Sequence, residues 1–228
     1  MSDKTFPPSG LTFGTPLGTY CSFAIHESQS RWWECFIGQS RCFSDYLLSK
    51  LHRSFPNQLQ GVSIDQYYSA VNRVKPSSIR IFADEVTYIL HIIIRYEIEK
   101  EFLTGSIDLK DLPAIWNEKV KESLGIVPKT DREGCLQDIH WSCGWIGYFP
   151  TYALGNLYAG QLFETFKKEC PDFEKRISGG ELSFIGDFLQ KKIHRYGREL
   201  PPAALIAKAT GHPLSPKPYI DYLTGKYG

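Results

Sequence analysis

Three short stretches of this chain place charged and polar groups next to large apolar side chains. Two of them contain a histidine, an acid and an amide, and the other contains an arginine and two acids. The stretches are His26-Glu27-Ser28-Gln29-Ser30-Arg31, Ile79-Arg80-Ile81-Phe82-Ala83-Asp84-Glu85 and Gly134-Cys135-Leu136-Gln137-Asp138-Ile139-His140-Trp141. A buried polar group costs free energy unless it finds a partner, so a core does not acquire such clusters without a reason. We interpret the three stretches as parts of an active site.

The first two stretches each allow a structural and a functional interpretation. On a helix, Glu27, Arg31 and Glu34 share one face. One interpretation is a network of ion pairs that orders the helix, and the residues alone favour it. The other is a metal ligand at Glu27, held in place by its neighbours. Arg80 could bind a substrate carboxylate through its planar guanidinium, or it could form a structural pair with Asp84.

The third stretch brings a histidine next to an acid and an amide. His140 could donate to a developing oxyanion, or it could be a satisfied core histidine. Tyr148 and Tyr152 offer two further hydroxyls for a tetrahedral intermediate, with core or interface packing as the alternative. A zinc site at His140-x-x-Cys143 with Cys135 is disfavoured because no fourth ligand is evident.

Composition excludes several classes of function. The 228 residues are 42% hydrophobic, which suits one globular domain over residues 1–228. A net charge of +1 leaves no electrostatic footprint for nucleic acid or an anionic membrane. The longest apolar run, Val86–Ile94, contains His91 and is too short to span a bilayer. Six cysteines without close pairs and a start without an apolar signal core predict reduced thiols and a cytoplasmic protein.

The elements that must position these residues are mainly α-helical. Residues 1–18 are predicted to form an extended lead-in, and residues 17–51 to be helical with an interruption at Gly38. A short helix should follow over residues 63–74, opened by Ser63 or Asp65 and stopped by Pro76. Further helices are predicted over residues 109–124, 152–168 and 180–196 and after Pro202 and Pro218. The one possible strand is a short one at residues 78–82.

Residues 84–103 are predicted to form one long helix, although their β-branched content suggests a strand. Asp84, Tyr88, His91 and Arg95 fall at i, i+4, i+7 and i+11, which is one polar stripe on an otherwise apolar cylinder. We therefore expect this helix to be central and buried.

Five motifs, in order along the chain, resemble those of the carboxypeptidase Taq family of zinc metallocarboxypeptidases. They are Gly14-Thr15-Pro16-Leu17-Gly18, His26-Glu27-Ser28-Gln29-Ser30-Arg31-x-Trp33-Glu34, Ile79-Arg80-x-x-Ala83-Asp84-Glu85-Val86-Thr87-Tyr88, Gly134-x-x-Gln137-Asp138-x-His140-Trp141 and Gly147-Tyr148-Phe149-Pro150-Thr151-Tyr152-x-Leu154-Gly155-Asn156. The resemblance implies a mainly α fold with little β, the C-terminal portion of an elongated, two-lobed helical metallopeptidase.

The resemblance also implies roles for individual residues. Glu27 is expected to be the third zinc ligand, with His26 beside the cleft as a substrate contact. Arg80 is expected near the pocket for the free carboxylate of the peptide, with Gln137 and Asp138 as further substrate-binding residues. The remaining candidates, for contacts to the substrate or transition state, are His140, Tyr148 and Tyr152.

The chain departs from the family pattern at the metal site. Its six histidines include no pair four residues apart, so it contains no H-E-x-x-H, and the family's D-x-R-x-T string is also missing. Zinc held by Glu27 alone is expected to bind weakly or not at all, because catalytic zinc sites use three protein ligands.

Two hypotheses follow for the function of the chain. In the first, it releases C-terminal residues from peptides with a free C-terminus when a missing N-terminal half completes it. In the second, it is an inactive remnant or pseudoenzyme that binds a peptide or partner. Reading the upstream coding DNA for an H-E-x-x-H separates them.

Four tryptophans flank the motifs: Trp32, Trp33, Trp141 and Trp145. They predict an apolar patch on the surface, self-association and a possible homodimer.

Overall fold

The computed structural model describes residues 14–228, and these residues are mainly helical. The extended lead-in predicted for residues 1–18 lies outside the described residues except at its end, where Pro16–Gly18 form a 3₁₀ turn. The α-helices are α1 (Phe23–Arg31), α2 (Arg41–Ser54), α3 (Ile64–Val71), α4 (Tyr88–Leu103), α5 (Leu112–Leu124), α6 (Pro150–Glu169), α7 (Phe173–Ser178), α8 (Ser183–Lys192), α9 (Pro202–Thr210) and α10 (Lys217–Tyr227). The mainly α class is confirmed.

The strand predicted at residues 78–82 is wrong, and no strand occurs within residues 14–228. Arg80–Phe82 form a 3₁₀ turn instead. The side chain of Gln137 accepts from the backbone N–H of Arg80 at 2.8 Å and donates to the carbonyl of Ser78 at 2.8 Å. Backbone groups that a strand would pair with a neighbouring strand are therefore satisfied by an amide side chain.

The first predicted helix is divided into three segments. Helix α1 begins after Ser22, whose hydroxyl accepts from the N–H of Ile25 at 3.1 Å, and a π-helical segment, Trp32–Gly38, follows it directly. The predicted interruption at Gly38 is confirmed. A β-carbon at Gly38 would lie 2.8 Å from the carbonyl oxygen of Trp33, so only glycine closes the π-helical segment without a clash.

Helix α3 opens as the sequence predicted. The Ser63 hydroxyl accepts from the N–H of Gln66 at 3.2 Å, and the Gln66 side chain accepts from the N–H of Ser63 at 2.9 Å. This reciprocal pair is a capping box. The helix ends at Val71, three residues before the predicted end.

Helix α4 begins at Tyr88 and not at Asp84. The Asp84 carboxylate accepts from the N–H groups of Val86 and Thr87 at 3.0 and 2.9 Å, so it caps the turn that precedes the helix. The stripe that follows is buried, with Tyr88, His91 and Arg95 at 7%, 0% and 1% exposure.

The other predicted helices are present with shifted ends. The helix predicted over residues 109–124 starts with a 3₁₀ turn at Leu109–Asp111 before α5. The one predicted over residues 180–196 is α8 followed by a 3₁₀ turn at His194–Tyr196. Among the described residues, no helix is both long and apolar enough to cross a bilayer.

Backbone contacts divide the chain into two compact units. Unit 1 comprises the described part of Met1–Val71 together with Leu154–Gly228, and unit 2 comprises Asn72–Ala153. The core of unit 2 forms where α4 packs on α5, and its buried side chains are Ile94, Ile98, Trp116, Val120, Leu124 and Cys135.

Aromatic rings fill the core of unit 1. Trp32 is fully buried, and its ring lies 5.4 Å, centroid to centroid, from those of Phe166 and Phe188 in edge-to-face geometry. The expectation that Trp32 contributes to an exposed patch is therefore wrong. Trp141 is half-buried against the core of unit 2, whereas Trp33 and Trp145 are exposed at 40% and 48%. The patch and the self-association stay predictions.

Two glycines in unit 1 predict opposite effects of the same substitution. A β-carbon at Gly160 would lie 2.8–2.9 Å from backbone atoms of Tyr219, whereas one at Gly186 would meet no atom within 4 Å. We expect Gly160→Ala to lower the free energy of unfolding by about 1–3 kcal/mol through overpacking. Gly186→Ala, the matched control inside helix α8, should raise it by about 0.5–1 kcal/mol. Urea unfolding of the two variants measures both effects, and equal effects would contradict this packing.

Candidate active site

Unit 2 brings together most of the residues that the sequence marks for substrate binding. The Arg80 guanidinium donates to the Asp138 carboxylate from Nε at 3.1 and 3.2 Å and from Nη2 at 2.7 Å. Its Nη1 donates to the hydroxyl of Tyr88 at 3.2 Å. Arg80 therefore pairs with Asp138, and not with Asp84 as the structural alternative supposed.

A second arginine binds the same carboxylate. The Nε of Arg95 donates to Oδ2 of Asp138 at 2.8 Å, and its Nη2 lies 2.6 Å from the same oxygen. The Nη1 of Arg95 donates to the carbonyl of His91 at 2.7 Å. We call Arg80, Asp138 and Arg95 the arginine cluster. The side chains of the cluster are 7%, 11% and 1% exposed, respectively.

The electrostatics of the arginine cluster keep Asp138 ionised. Burial raises the pKa of the Asp138 carboxyl, but hydrogen bonds and charges from Arg80 and Arg95 outweigh it, so the pKa lies below its usual range. Burial lowers the pKa of Arg95 to about 10, which still leaves this guanidinium protonated at neutral pH.

His140 lies beside the arginine cluster in a cage of aromatic rings. Its Nε2 is 3.2 Å from the hydroxyl of Tyr152, and its ring centroid is 5.2 Å from that of Tyr148 and 4.3 Å from that of Phe149. The guanidinium of Arg80 lies 5.1 Å from the centroid of the Tyr152 ring. The three predicted catalytic residues are therefore neighbours of the predicted carboxylate-binding residue.

His140 is neutral at physiological pH in these surroundings. Burial lowers its pKa first, and the charges of Arg80 and Arg95 lower it further, against an opposing effect of Asp138. The Nδ1 atom of His140 is buried without a hydrogen-bond partner. A neutral imidazole paired with a tyrosine hydroxyl can donate a hydrogen bond to an oxygen that gains negative charge.

The stretch from His26 to Arg31 lies on helix α1, in unit 1. Glu27 is half-buried and packs on helix α6, because a β-carbon at Gly155 would lie 2.9 Å from Cγ of Glu27 and 3.3 Å from the backbone nitrogen of Ser28. Glycine at position 155 thus lets the two helices approach at the predicted metal ligand.

The next residue of α6 fixes the same face of α1. The side-chain oxygen of Asn156 accepts from Nε of Arg31 at 2.8 Å, and Nη1 of Arg31 donates to Glu34 at 2.7 Å. The Arg31–Glu34 part of the predicted network is present. Gly155 and Asn156 together set the position of the helix that carries Glu27.

His26 faces a different part of unit 1. It is exposed, and its ring lies 5.2 Å from that of Tyr20 in edge-to-face geometry. It lines a cavity of about 240 Å³ whose wall includes Gln29, Trp33 and His194. The Nε2 of His194 lies 3.3 Å from the side-chain oxygen of Gln29.

The residues present do not fit a complete zinc site. Within residues 14–228, no three side chains of histidine, cysteine, aspartate or glutamate are grouped so that they could hold a metal ion. Glu27 supplies a single carboxylate, and the disfavoured set of His140, Cys143 and Cys135 forms no such group. A structural or catalytic zinc ion needs at least three protein ligands.

Sequence reasoning did not assign Arg95 or Tyr88 to the site. Both lie on helix α4, where Tyr88 accepts from Arg80 and Arg95 donates to Asp138. The sequence feature that could have identified them is the polar stripe that also contains His91, since helical spacing places these side chains on one face. The stripe indicated burial, but it did not indicate that Asp138, 43 residues further along, would be their partner.

Comparison with known proteins matches nearly the whole chain to one family. A family model described as "Carboxypeptidase Taq (M32) metallopeptidase" matches residues 6–227. Carboxypeptidase 1 of Bacillus subtilis is 45% identical over 214 residues, which cover 94% of this chain and 43% of that protein. Thermostable carboxypeptidase 1 of Thermus thermophilus is 42% identical, with 94% and 42% covered.

A solved structure gives the same result. The M32 carboxypeptidase from Deinococcus radiodurans R1 superposes with a TM-score of 0.94 at 40% sequence identity, covering 97% of this chain and 44% of that one. The chain therefore spans less than half the length of the relatives that it matches.

Proposed function

The chain belongs to the carboxypeptidase Taq family of metallopeptidases, and we propose that it supplies the C-terminal part of a zinc carboxypeptidase active site. Joined to a part corresponding to the rest of the relatives' length, it would release C-terminal residues from peptides in the cytoplasm. The observation that carries the proposal is the convergence of Arg80, Asp138, His140 and Tyr152 in unit 2.

Arg80 is proposed to bind the terminal carboxylate of the peptide. Its contacts with Asp138 and Tyr88 use three of the five N–H groups of a guanidinium, so donors remain for a second carboxylate. Gln137 holds the backbone of the turn that presents Arg80, and Asp138 fixes the plane of the guanidinium. The bound carboxylate would receive charge-assisted hydrogen bonds.

His140, Tyr148 and Tyr152 are proposed to contact the peptide carbonyl as charge develops on it. His140 is neutral and lies within hydrogen-bond distance of the Tyr152 hydroxyl, so either group can donate to an oxyanion. The Tyr148 ring packs against the imidazole at a tilt of 53° and restricts its orientation. His26 is proposed as a further substrate contact.

Glu27 is proposed as the one zinc ligand from this chain. The remaining ligands and the general base would come from a segment outside this sequence, since the described residues form no metal-binding group. Gly155 supports this role because it allows the Glu27 side chain to lie against α6.

The alternative function is a non-catalytic domain that binds a peptide or a partner, including a second copy of itself. The absence of a metal-binding group within residues 14–228 favours it. The exposed side chains of Trp33 and Trp145 would then serve association.

Complementation separates the two functions. The chain is mixed with the part of the Bacillus subtilis carboxypeptidase that it does not match, and release of the C-terminal residue from an N-blocked peptide is measured with added zinc. We expect no turnover by the chain alone, turnover by the mixture, and loss of turnover with a chelator or with Glu27→Gln. Glu34→Gln is the matched control, one carboxylate further along the same face, and should retain activity.

Two other results of the complementation experiment would contradict this expectation. A mixture that forms a complex and binds zinc without turnover favours the non-catalytic function. Turnover by the chain alone, abolished by a chelator and by Glu27→Gln, would contradict the requirement for a second part.

A further inference from the structure

Asp138 is divided between two arginines. Its Oδ1 receives the Nη2 of Arg80 at 2.7 Å, while its Oδ2 receives the Nε of Arg95 at 2.8 Å. Arg95 is 1% exposed, so it does not offer its guanidinium to a ligand from solvent. Its hydrogen bonds to the side chains of the site go to Asp138.

The arginine cluster contains two positive groups and one negative group, so it carries one positive charge in excess. A single arginine paired with Asp138 would be a closed ion pair with little attraction for another carboxylate. Burial raises the pKa of Glu99, on the same helix, although this carboxyl is near enough to Arg95 for that charge to lower its pKa in part. The oxygens of Glu99 are taken by Nε1 of Trp141 at 2.8 Å and the N–H of Gly147 at 3.2 Å, and not by the guanidinium of Arg95.

The surroundings of Arg95 strengthen the effect of its charge. Its guanidinium lies 4.6 Å from the centroid of the Trp116 ring and 5.2 Å from that of Phe149. Aromatic walls exclude water and lower the local dielectric constant, so charges interact more strongly there than at the surface. The rings also favour a cation on their faces, which helps to retain the proton on Arg95.

We infer that Arg95 is a positioning residue that determines the specificity for a free C-terminus, because it neutralises Asp138 and leaves the charge of Arg80 available to the terminal carboxylate of a peptide. The inference rests on the proposed role of Arg80. It adds a residue outside the five sequence motifs, and it assigns Asp138 the role of a counterion.

The test uses the isolated chain, since all three members of the arginine cluster lie in unit 2. Binding of N-acetylphenylalanine and of its amide is followed by chemical-shift changes in ¹H–¹⁵N spectra. Wild type should prefer the acid, and Arg95→Met should weaken binding of the acid on the order of tenfold while leaving the amide unchanged.

Two further variants separate charge from structure. Arg95→Lys keeps the charge but loses the fork of donors, and it should retain the preference for the acid. The double variant Arg95→Met with Asp138→Asn again has one positive charge in excess, so it should recover most of the lost affinity. If Arg95→Met alone does not fold, binding of the acid by these two variants decides the question.

Each contrary result overturns a different part of the inference. If wild type does not prefer the acid, the proposed role of Arg80 is wrong and the role of Arg95 falls with it. If wild type prefers the acid but Arg95→Met does so equally, only the role of Arg95 is wrong. If Arg95→Lys or the double variant loses the preference, Arg95 acts through geometry and the charge argument is overturned.

Discussion

Replacing Asp138 with alanine is expected to lower the free energy of unfolding by about 3–5 kcal/mol. The substitution removes the carboxylate that both Arg80 and Arg95 contact, and it leaves two guanidiniums close together in a buried site. The cost of an uncompensated buried charge exceeds the net value of the ion pair itself. Urea unfolding followed by circular dichroism measures the change.

Asp221→Ala is the matched control for this prediction. Asp221 pairs with Lys217 at 2.6 Å, but both side chains are more than half exposed. Such a surface pair contributes about 0–1 kcal/mol. If Asp138→Ala were as mild as Asp221→Ala, the arginine cluster would not be the buried ion-pair network described for unit 2.

The second large effect is a loss of stability in mild acid. Burial, together with the charges of Arg95 and Arg80, lowers the pKa of His91 to about 4, whereas an unfolded histidine titrates at about 6.5. The neutral imidazole makes its full contribution to the free energy of unfolding above about pH 6.5. That contribution declines as the pH falls toward 4, because only the unfolded state takes up the proton in this range. The loss for this residue should reach about 2 kcal/mol at pH 5.

His91→Leu should remove that part of the pH dependence. The difference in unfolding free energy between pH 7 and pH 5 is expected to shrink by about 2 kcal/mol in this variant. Ile92→Val, the neighbouring substitution on the same helix, should cost about 0.5–1.5 kcal/mol equally at both pH values. An unchanged difference in His91→Leu would show that His91 is not held neutral by burial.

The helical class and most helices could be predicted because the signals are local. Ser63, one of the two residues predicted to open α3, does so together with Gln66, and Gly38, the predicted interruption, ends the π-helical segment. The strand at residues 78–82 failed for the opposite reason. Its backbone groups are satisfied by Gln137, which is 57 residues away from Arg80 and whose contact has no local signature.

Part of the membership of the candidate site could be predicted, but Arg95, Tyr88 and the pairings could not. The motifs named Arg80, Asp138, His140 and Tyr152, and the structure brings these side chains together. The shared carboxylate was unexpected, because Asp84 was the nearer acid in sequence to Arg80. Asp84 instead caps the turn before α4, which leaves Arg80 to the more distant Asp138.

The metal content of the complemented complex tests most directly whether this chain contributes to a carboxypeptidase metal site. We expect about one zinc ion per complex for wild type and for the control Glu34→Ala, whose carboxylate pairs with Arg31. Glu27→Ala should lose the zinc and keep its helical circular dichroism, since a half-buried carboxylate that binds metal matters more for the ion than for the fold. Retention of zinc at the wild-type level in Glu27→Ala would contradict the assignment of Glu27 as a ligand.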